Sequence, residues 1–128
     1  MRSSAPSSAP AQAPRQDSRA DALVREATRL AGKVKAGELS RTAAADQLNL
    51  TRLKLVGPNL VDDNTFAMYR YLAVERDAGR LTQEESQARM EMRLREWMRR
   101  WPRMNPRPPE PVFTDFLLKV YGLPALDH

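Results

Sequence analysis

The sequence predicts an all-α fold: a four-helix bundle of two antiparallel helical hairpins, followed by a proline-rich strap and a short C-terminal docking helix. Three observations lead to this prediction. Apolar residues recur at helical spacing in five segments, so each segment can present one apolar stripe to a core. Glycines 37 and 79 stand where two helices would end, and a helix-capping hydroxyl residue follows each of them three positions later. The stripe and the glycine corner then repeat together after forty-two positions.

The predicted domain organisation follows from length and composition. With 128 residues the chain has the size of one domain with a modest core. Residues 1–17 hold almost only Ser, Ala, Pro and Gln, so they cannot bury enough apolar surface to offset the entropy of ordering, and we expect a disordered tail. The single helical domain, 18–128, is expected to consist of the bundle at 18–101, the strap at 102–111 and the terminal helix at 112–122.

The first predicted hairpin turns at Gly37. Ser18 is placed to cap its first helix, and Ser40 is placed to cap its second. Leu50 and Leu53 lie off the apolar stripe of the second helix. Either a second face of this helix is covered, or these two leucines belong to a binding surface.

The second predicted hairpin turns at Gly79. Asp62 or Asp63 is placed to cap its first helix, because acidic residues are favoured at a helix start. Thr82 and Glu85 have the spacing of a capping box, in which each side chain accepts a hydrogen bond from the backbone of the other. The helix that follows carries the strongest apolar stripe in the chain, namely Met90, Leu94, Trp97, Met98 and Trp101.

The second corner reads Asp77-Ala78-Gly79-Arg80-Leu81-Thr82-Gln83-Glu84-Glu85. This stretch resembles the short helical-hairpin family known as SHOCT, which occurs at the ends of bacterial proteins, and the resemblance covers residues 66–97. The chain departs from the family pattern at Ser86, where the family usually has an aromatic residue. The resemblance implies a small interaction or oligomerisation hairpin.

The residues that most enzymes need are scarce in this chain. It has no cysteine, and its single histidine is the last residue, His128. A His/Cys metal site or a Ser-His-Asp arrangement is therefore not expected. The carboxylate pairs Asp62-Asp63 and Glu84-Glu85 fall at predicted helix starts, where a capping role is favoured. No glycine-rich phosphate loop occurs. We expect no enzymatic activity and no cofactor or metal.

The basic segment 89–107 is the strongest functional signal in the sequence. It carries seven arginines against two glutamates, a net charge of +5 that equals the formal net charge of the whole chain. Arginine offers planar forks that match phosphate and carboxylate groups, and tryptophan offers a surface for stacking. The candidate residues for binding an anion or a partner are Arg93, Arg99, Arg100, Trp101, Arg103 and Arg107.

A simpler interpretation of this segment is a solvated helix face without a ligand. Both tryptophans belong to the apolar stripe, so core packing is their default role. Three Glu-to-Arg pairs at i, i+4 begin at Glu85, Glu91 and Glu96, and such pairs steady an exposed helix without any partner.

The combined evidence favours non-catalytic protein binding in a bacterial cell, with an envelope-associated accessory protein as one form. Another protein is the expected partner, and no small-molecule substrate is expected. The first alternative is nucleic-acid binding through 89–107, and the second is binding to an anionic membrane surface. The Ser/Ala/Pro tail resembles the spacer after the lipidated cysteine of bacterial lipoproteins. If a signal and that cysteine have been trimmed away, the resemblance implies the envelope or periplasm; otherwise the cytoplasm is expected.

Overall fold

The computed structural model describes residues 15–126, and within this range the chain is all-helical, with five α-helices and no β-strand. The predicted all-α class is confirmed for these residues. The helices are α1 (Arg15–Lys35), α2 (Arg41–Leu55), α3 (Leu60–Asp77), α4 (Gln83–Arg100) and α5 (Val112–Val120), and a 3-10 turn (Trp101–Arg103) continues α4. Most of the predicted tail and His128 lie outside the described residues.

Both predicted glycine corners are confirmed. Gly37 and Gly79 have φ angles of +78° and +76°, a conformation that other residues adopt only with strain. The Ser40 hydroxyl accepts a hydrogen bond from a backbone N–H in the first turn of α2. At the start of α4, the Thr82 hydroxyl accepts from the Glu85 N–H at 3.1 Å, and the Glu85 carboxylate accepts from the Thr82 N–H at 2.9 Å. The predicted capping box is therefore present.

Two predicted helix starts are wrong. Helix α1 begins at Arg15, so Ser18 lies inside the helix, and the last three positions of the predicted tail are helical. Arginine and glutamine favour a helix strongly enough to carry it past the serine. Helix α3 is capped by Asn59 and not by Asp62 or Asp63: the Asn59 amide oxygen accepts from two backbone N–H groups of the first turn, at 3.0 and 3.1 Å. Asparagine caps a helix as well as aspartate does.

The helices pack mainly on their neighbours in the chain, and α5 closes the core. Helix α2 packs against α1 and α3, and α3 packs against α4. Helix α5 packs against α1, α3 and α4, so it lies between the first and fourth helices. Five of its side chains join the core, namely Val112, Phe113, Phe116, Leu117 and Leu118. The ring of Phe113 meets those of Phe66 and Tyr69 edge-on, with centroids 6.1 and 6.2 Å apart. The C-terminal helix is thus a full part of the core.

The proline-rich segment between the 3-10 turn and α5 contains no helix and is fastened at two backbone carbonyls. The indole N–H of Trp101 donates to the carbonyl of Pro108 at 3.2 Å, and the amide of Asn59 donates to the carbonyl of Pro109 at 2.9 Å. Since Asn59 also caps α3, one side chain fixes both the start of that helix and the end of the strap.

Candidate functional site

The two tryptophans of the basic segment are core residues. Trp97 is 3% exposed and Trp101 is 2% exposed. Their ring nitrogens have partners inside the protein, because Trp97 donates to the side-chain oxygen of Asn64 at 3.2 Å and Trp101 donates to the strap. Neither ring offers a free face to a ligand. Trp101 was expected in the binding surface, but the structure places it beneath that surface.

Two of the predicted arginines lie on these rings. The guanidinium carbon of Arg100 is 4.7 Å from the ring centroid of Trp97, and that of Arg107 is 4.5 Å from the ring centroid of Trp101. The negative face of an indole attracts a cation at such distances, most strongly among the aromatic rings. Arg100 and Arg107 are therefore held in place on one face, while their side chains remain exposed to solvent on the other.

Arg93 has a structural role and stands apart from the other predicted arginines. Its Nη1 donates to the side-chain oxygen of Asn64 at 2.8 Å, and its Nε lies 3.5 Å from the carboxylate of Glu96. Asn64 belongs to α3, so Arg93 ties α4 to α3 at the same atom that receives the Trp97 N–H. A side chain engaged in this way has little capacity left for a partner.

One of the three predicted i, i+4 ion pairs forms. The Arg95 guanidinium lies 3.9 Å from the Glu91 carboxylate. Glu85 is engaged in the capping box instead, and Glu96 turns toward Arg93. Arg100, the arginine expected opposite Glu96, has no ion-pair partner among residues 15–126, and Arg89, the arginine expected opposite Glu85, lies near Glu75 instead and helps to lower the pKa of that carboxyl.

Four of the predicted arginines, at the end of α4 and in the segment that follows it, are exposed and have no ion-pair partner among residues 15–126. We name this group the arginine surface: Arg99, Arg100, Arg103 and Arg107. Its charge is not neutralised within the described part of the fold, whereas Arg70, Arg80 and Arg95 each lie against a carboxylate. The structure thus separates arginines engaged in the fold from arginines available to a ligand, which the sequence pattern alone did not do.

The two leucines off the stripe of α2 lie at or near solvent. Leu50 is 68% exposed and Leu53 is 37% exposed. The interpretation that a second face of α2 is covered does not hold for Leu50. The binding-surface interpretation of the pair stays a prediction.

An arginine that the sequence analysis did not single out is the most buried one in the described chain. Arg52 is 4% exposed and lies 2.9 Å from the Asp63 carboxylate. Its guanidinium carbon stands 5.5 Å from the ring centroid of Phe66 and 5.8 Å from that of Phe113. Arg52 therefore supports the aromatic part of the core. The sequence around Arg52 mixes polar and apolar residues, so it did not indicate that this arginine is buried.

Asp62 is also buried, where a helix cap had been predicted. Its carboxylate accepts from the N–H and hydroxyl of Thr114, both at 2.8 Å, and from the Phe113 N–H at 3.2 Å. The Thr114 hydroxyl also lies 2.9 Å from the hydroxyl of Thr65. Burial raises the pKa of Asp62, although the hydrogen bonds from Thr114 and Phe113 oppose the rise. All of these atoms are used within the fold, so the cluster joins α3 to α5 and is not a site open to a ligand.

A cleft of about 610 Å³ opens among α1, α2, α3, the start of α4 and the end of α5. A second cavity of about 470 Å³ shares several lining residues with it and extends it along α5. The residues common to both are Ala27, Ala31, Tyr69, Arg76, Gln83, Ser86 and Tyr121. None of these residues carries a pattern in the sequence that predicts a function.

Between positions 15 and 126, no three His, Cys, Asp or Glu side chains cluster closely enough to hold a metal ion. No helix in that range is both long and apolar enough to cross a bilayer.

Comparison with known proteins found no matching family model, no matching curated protein and no matching solved structure.

Proposed function

We propose that this chain is a non-catalytic helical protein-interaction module of a bacterial cell, and that the arginine surface binds an acidic segment of a partner protein. The observation that carries the proposal is the pair of guanidinium groups held over buried indole rings, Arg100 on Trp97 and Arg107 on Trp101. Both are exposed and neither has a carboxylate partner in the described range.

A guanidinium that is already positioned is a better ligand for a carboxylate than a free one. An arginine side chain loses much rotamer freedom when it binds, and this loss opposes association. Stacking on Trp97 and Trp101 restricts Arg100 and Arg107 before any partner arrives. Their planar forks then match the two oxygens of a carboxylate.

The proposed scaffold is a four-helix bundle of two antiparallel hairpins, α1 with α2 and α3 with α4, of which the second is the SHOCT-like hairpin. Two contacts support it. Consecutive helices pack on each other, and the Asp77 carboxylate at the end of α3 accepts hydrogen bonds at the start of α2, from the Arg41 N–H at 3.1 Å and the Thr42 N–H at 2.8 Å.

Burial of the tryptophans favours an acidic protein over the two alternatives. Binding of single-stranded nucleic acid gains much of its affinity from bases stacked on exposed aromatic rings, and interfacial binding to a membrane uses aromatic anchors. Trp97 and Trp101 supply neither in this structure, because both are in the core. An envelope location depends on the lipoprotein-like tail and stays a prediction.

The test is a binding titration of a labelled polyglutamate peptide and of a single-stranded oligonucleotide of equal charge, each over a salt series. The surface variant combines Arg100→Ala, Arg103→Ala and Arg107→Ala. Its matched control combines Arg70→Ala, Arg80→Ala and Arg95→Ala, which remove the same charge from arginines engaged in ion pairs. We expect the surface variant to bind the peptide at least about tenfold more weakly, and the control to bind it nearly as wild type does.

Two outcomes contradict the proposal. Equal losses in both variants mean that only the net charge matters and that the arginine surface has no special role. Tighter binding of the oligonucleotide than of the peptide at every salt concentration, with a steep salt dependence, favours the nucleic-acid alternative.

A further inference from the structure

We propose that the cleft bordered by all five helices binds a single-chain amphiphile with an anionic head group, such as a long-chain carboxylate. This site lies among residues other than the arginine surface and does not depend on the function proposed for it. The acyl chain lies along the apolar part of the cleft, and the head group lies at Arg76.

The cleft exists because α5 is too short to fill the space between α1 and α4. Helix α5 has nine residues and α3 has eighteen. At the helical rise these lengths are about 13 Å and about 27 Å, so α5 covers only about half of the length of α3. Beyond its C-cap at Tyr121, the side chains of α1, α2, α3 and α4 border an open volume of about 610 Å³. Volumes of this size are typical of small-molecule sites.

Apolar and polar groups share the walls of the cleft, and the apolar part fits an unbranched chain. Small side chains line it on α1 and α3, namely Ala27, Ala31 and Ala73, with Leu30, Val34 and Leu72 beside them. The extension along α5 adds Phe116, Leu117 and Val120. Apolar walls lined by small residues leave room for methylene groups, whose burial is favourable by about 0.8 kcal/mol each.

One end of the cleft is cationic. Lys35 at the end of α1, Arg41 at the start of α2 and Arg76 near the end of α3 all line it, and none of its described lining residues is acidic. Arg41 already lies 3.5 Å from the Asp77 carboxylate. Lys35 and Arg76 have no ion-pair partner among residues 15–126. An anionic head group at this end would meet two cations that the described fold does not neutralise.

Two phenols complete the polar end. The half-buried side chains of Tyr69 and Tyr121 both line the cleft, and among residues 15–126 no hydrogen bond within the protein engages either hydroxyl. Burial raises the pKa of Tyr121 to about 12 and raises that of Tyr69 as well. An ordinary tyrosine hydroxyl is already protonated at neutral pH, so both hydroxyls can donate to an anionic oxygen.

In the experiment, the full chain is titrated with dodecanoate below the critical micelle concentration. Calorimetry and amide NMR monitor the binding. We expect saturable 1:1 binding, with shifts concentrated at Ala27, Ala31, Ala73 and Ser86. Affinity should rise about fourfold for each added methylene until the chain outgrows the cleft. Dodecyltrimethylammonium, with the same tail and a cationic head, should bind at least about tenfold more weakly.

Two variants and one matched control locate the site. Arg76→Gln should weaken dodecanoate binding about tenfold, whereas Arg70→Gln, the same change on the same helix but at an arginine paired with Asp46, should leave it unchanged. Ala31→Trp fills the cleft from an exposed position on α1 and should abolish saturable binding while the protein still melts cooperatively. Equal binding of the cationic amphiphile, unchanged binding in Ala31→Trp, or no saturable binding of dodecanoate would each overturn the proposal.

Discussion

The carboxylate of Asp62 caps α5 through Thr114, a residue fifty-two positions further along the chain. Helix α5 has no capping side chain of its own, because Pro111 stands at its N-cap position. Asp62 accepts from the Phe113 and Thr114 N–H groups, the donors that a local cap would normally satisfy. A side chain of α3 thus fixes both the start and the position of the helix that closes the core.

We predict that Asp62→Ala lowers the free energy of unfolding by about 3 kcal/mol, because it leaves buried donors without an acceptor. Thr114 loses the acceptor of both its N–H and its hydroxyl, and Phe113 loses that of its N–H. Urea unfolding followed by circular dichroism measures the change. Asp46→Ala is the control, since Asp46 is exposed and its ion pair within residues 15–126 is with Arg70. If the two variants lose the same stability, Asp62 is not the cap of α5.

Asp77 performs a similar task at the start of α2, but its pKa moves in the opposite direction. Burial opposes ionisation of Asp77, and the hydrogen bonds from Thr42 and Arg41 outweigh it, so its pKa is lowered from 3.8. Burial dominates at Asp62 and raises its pKa from the same value. The difference follows from exposure: Asp62 is fully buried, while a quarter of the Asp77 side chain meets solvent.

A carboxyl-carbon NMR titration should therefore find Asp62 titrating above 3.8 and Asp77 below it. The linkage to stability has opposite signs. Asp77 contributes stability above its ordinary pKa that is lost as the pH falls through the lowered value. The contribution of Asp62 declines as the pH rises from the ordinary value through the raised one. Consequently the stability difference between wild type and Asp77→Asn should shrink as the pH falls below 3.8. Two titrations centred together near that value would contradict this.

The glycine corners allow a comparison of the same substitution in two backbone conformations. Gly79 has a φ angle of +76°, whereas Gly32 lies inside α1, and a Cβ added at either meets nothing within 4 Å. Only backbone conformation then distinguishes them. Gly79→Ala should destabilise by about 1–2 kcal/mol, because a left-handed alanine is strained. Gly32→Ala should stabilise by about 0.5–1 kcal/mol, because alanine favours a helix. Thermal unfolding checks both, and shifts of the same sign would count against the corner geometry.

Local chemistry explains which parts of the fold were predictable. Gly37, Gly79, Ser40 and the Thr82 capping box act within a few residues of their own positions, so their roles were visible in the sequence. Asp62 was taken for a cap of its own helix for the same reason. Its actual partner lies in another helix, and a residue that caps at a distance looks like any acidic residue in a first turn.

The candidate sites were predictable only in part, because the role of each residue depends on its neighbours in the folded structure, and the sequence does not show these neighbours. The basic segment was evident from its charge, but the sequence did not show that Arg93 is bound to Asn64 while Arg107 lies on a buried ring. The cleft was not evident at all. It depends on the length of α5 relative to α3, which decides how much of the space between α1 and α4 remains open.

Trp101 and Arg107 provide the last prediction, because their roles can be separated. Trp101→Phe removes the N–H that donates to Pro108 and should cost about 1 kcal/mol of stability, while an aromatic ring still lies under Arg107. Polyglutamate affinity should then fall by less than about threefold. Arg107→Ala should have the opposite pattern: the melting temperature stays nearly unchanged, and the affinity for the polyglutamate peptide falls several-fold. Urea unfolding gives the stability of each variant, and peptide titration gives the affinity of each variant for polyglutamate. A loss of affinity in Trp101→Phe as large as that in Arg107→Ala, at unchanged stability, would mean that the indole itself touches the partner.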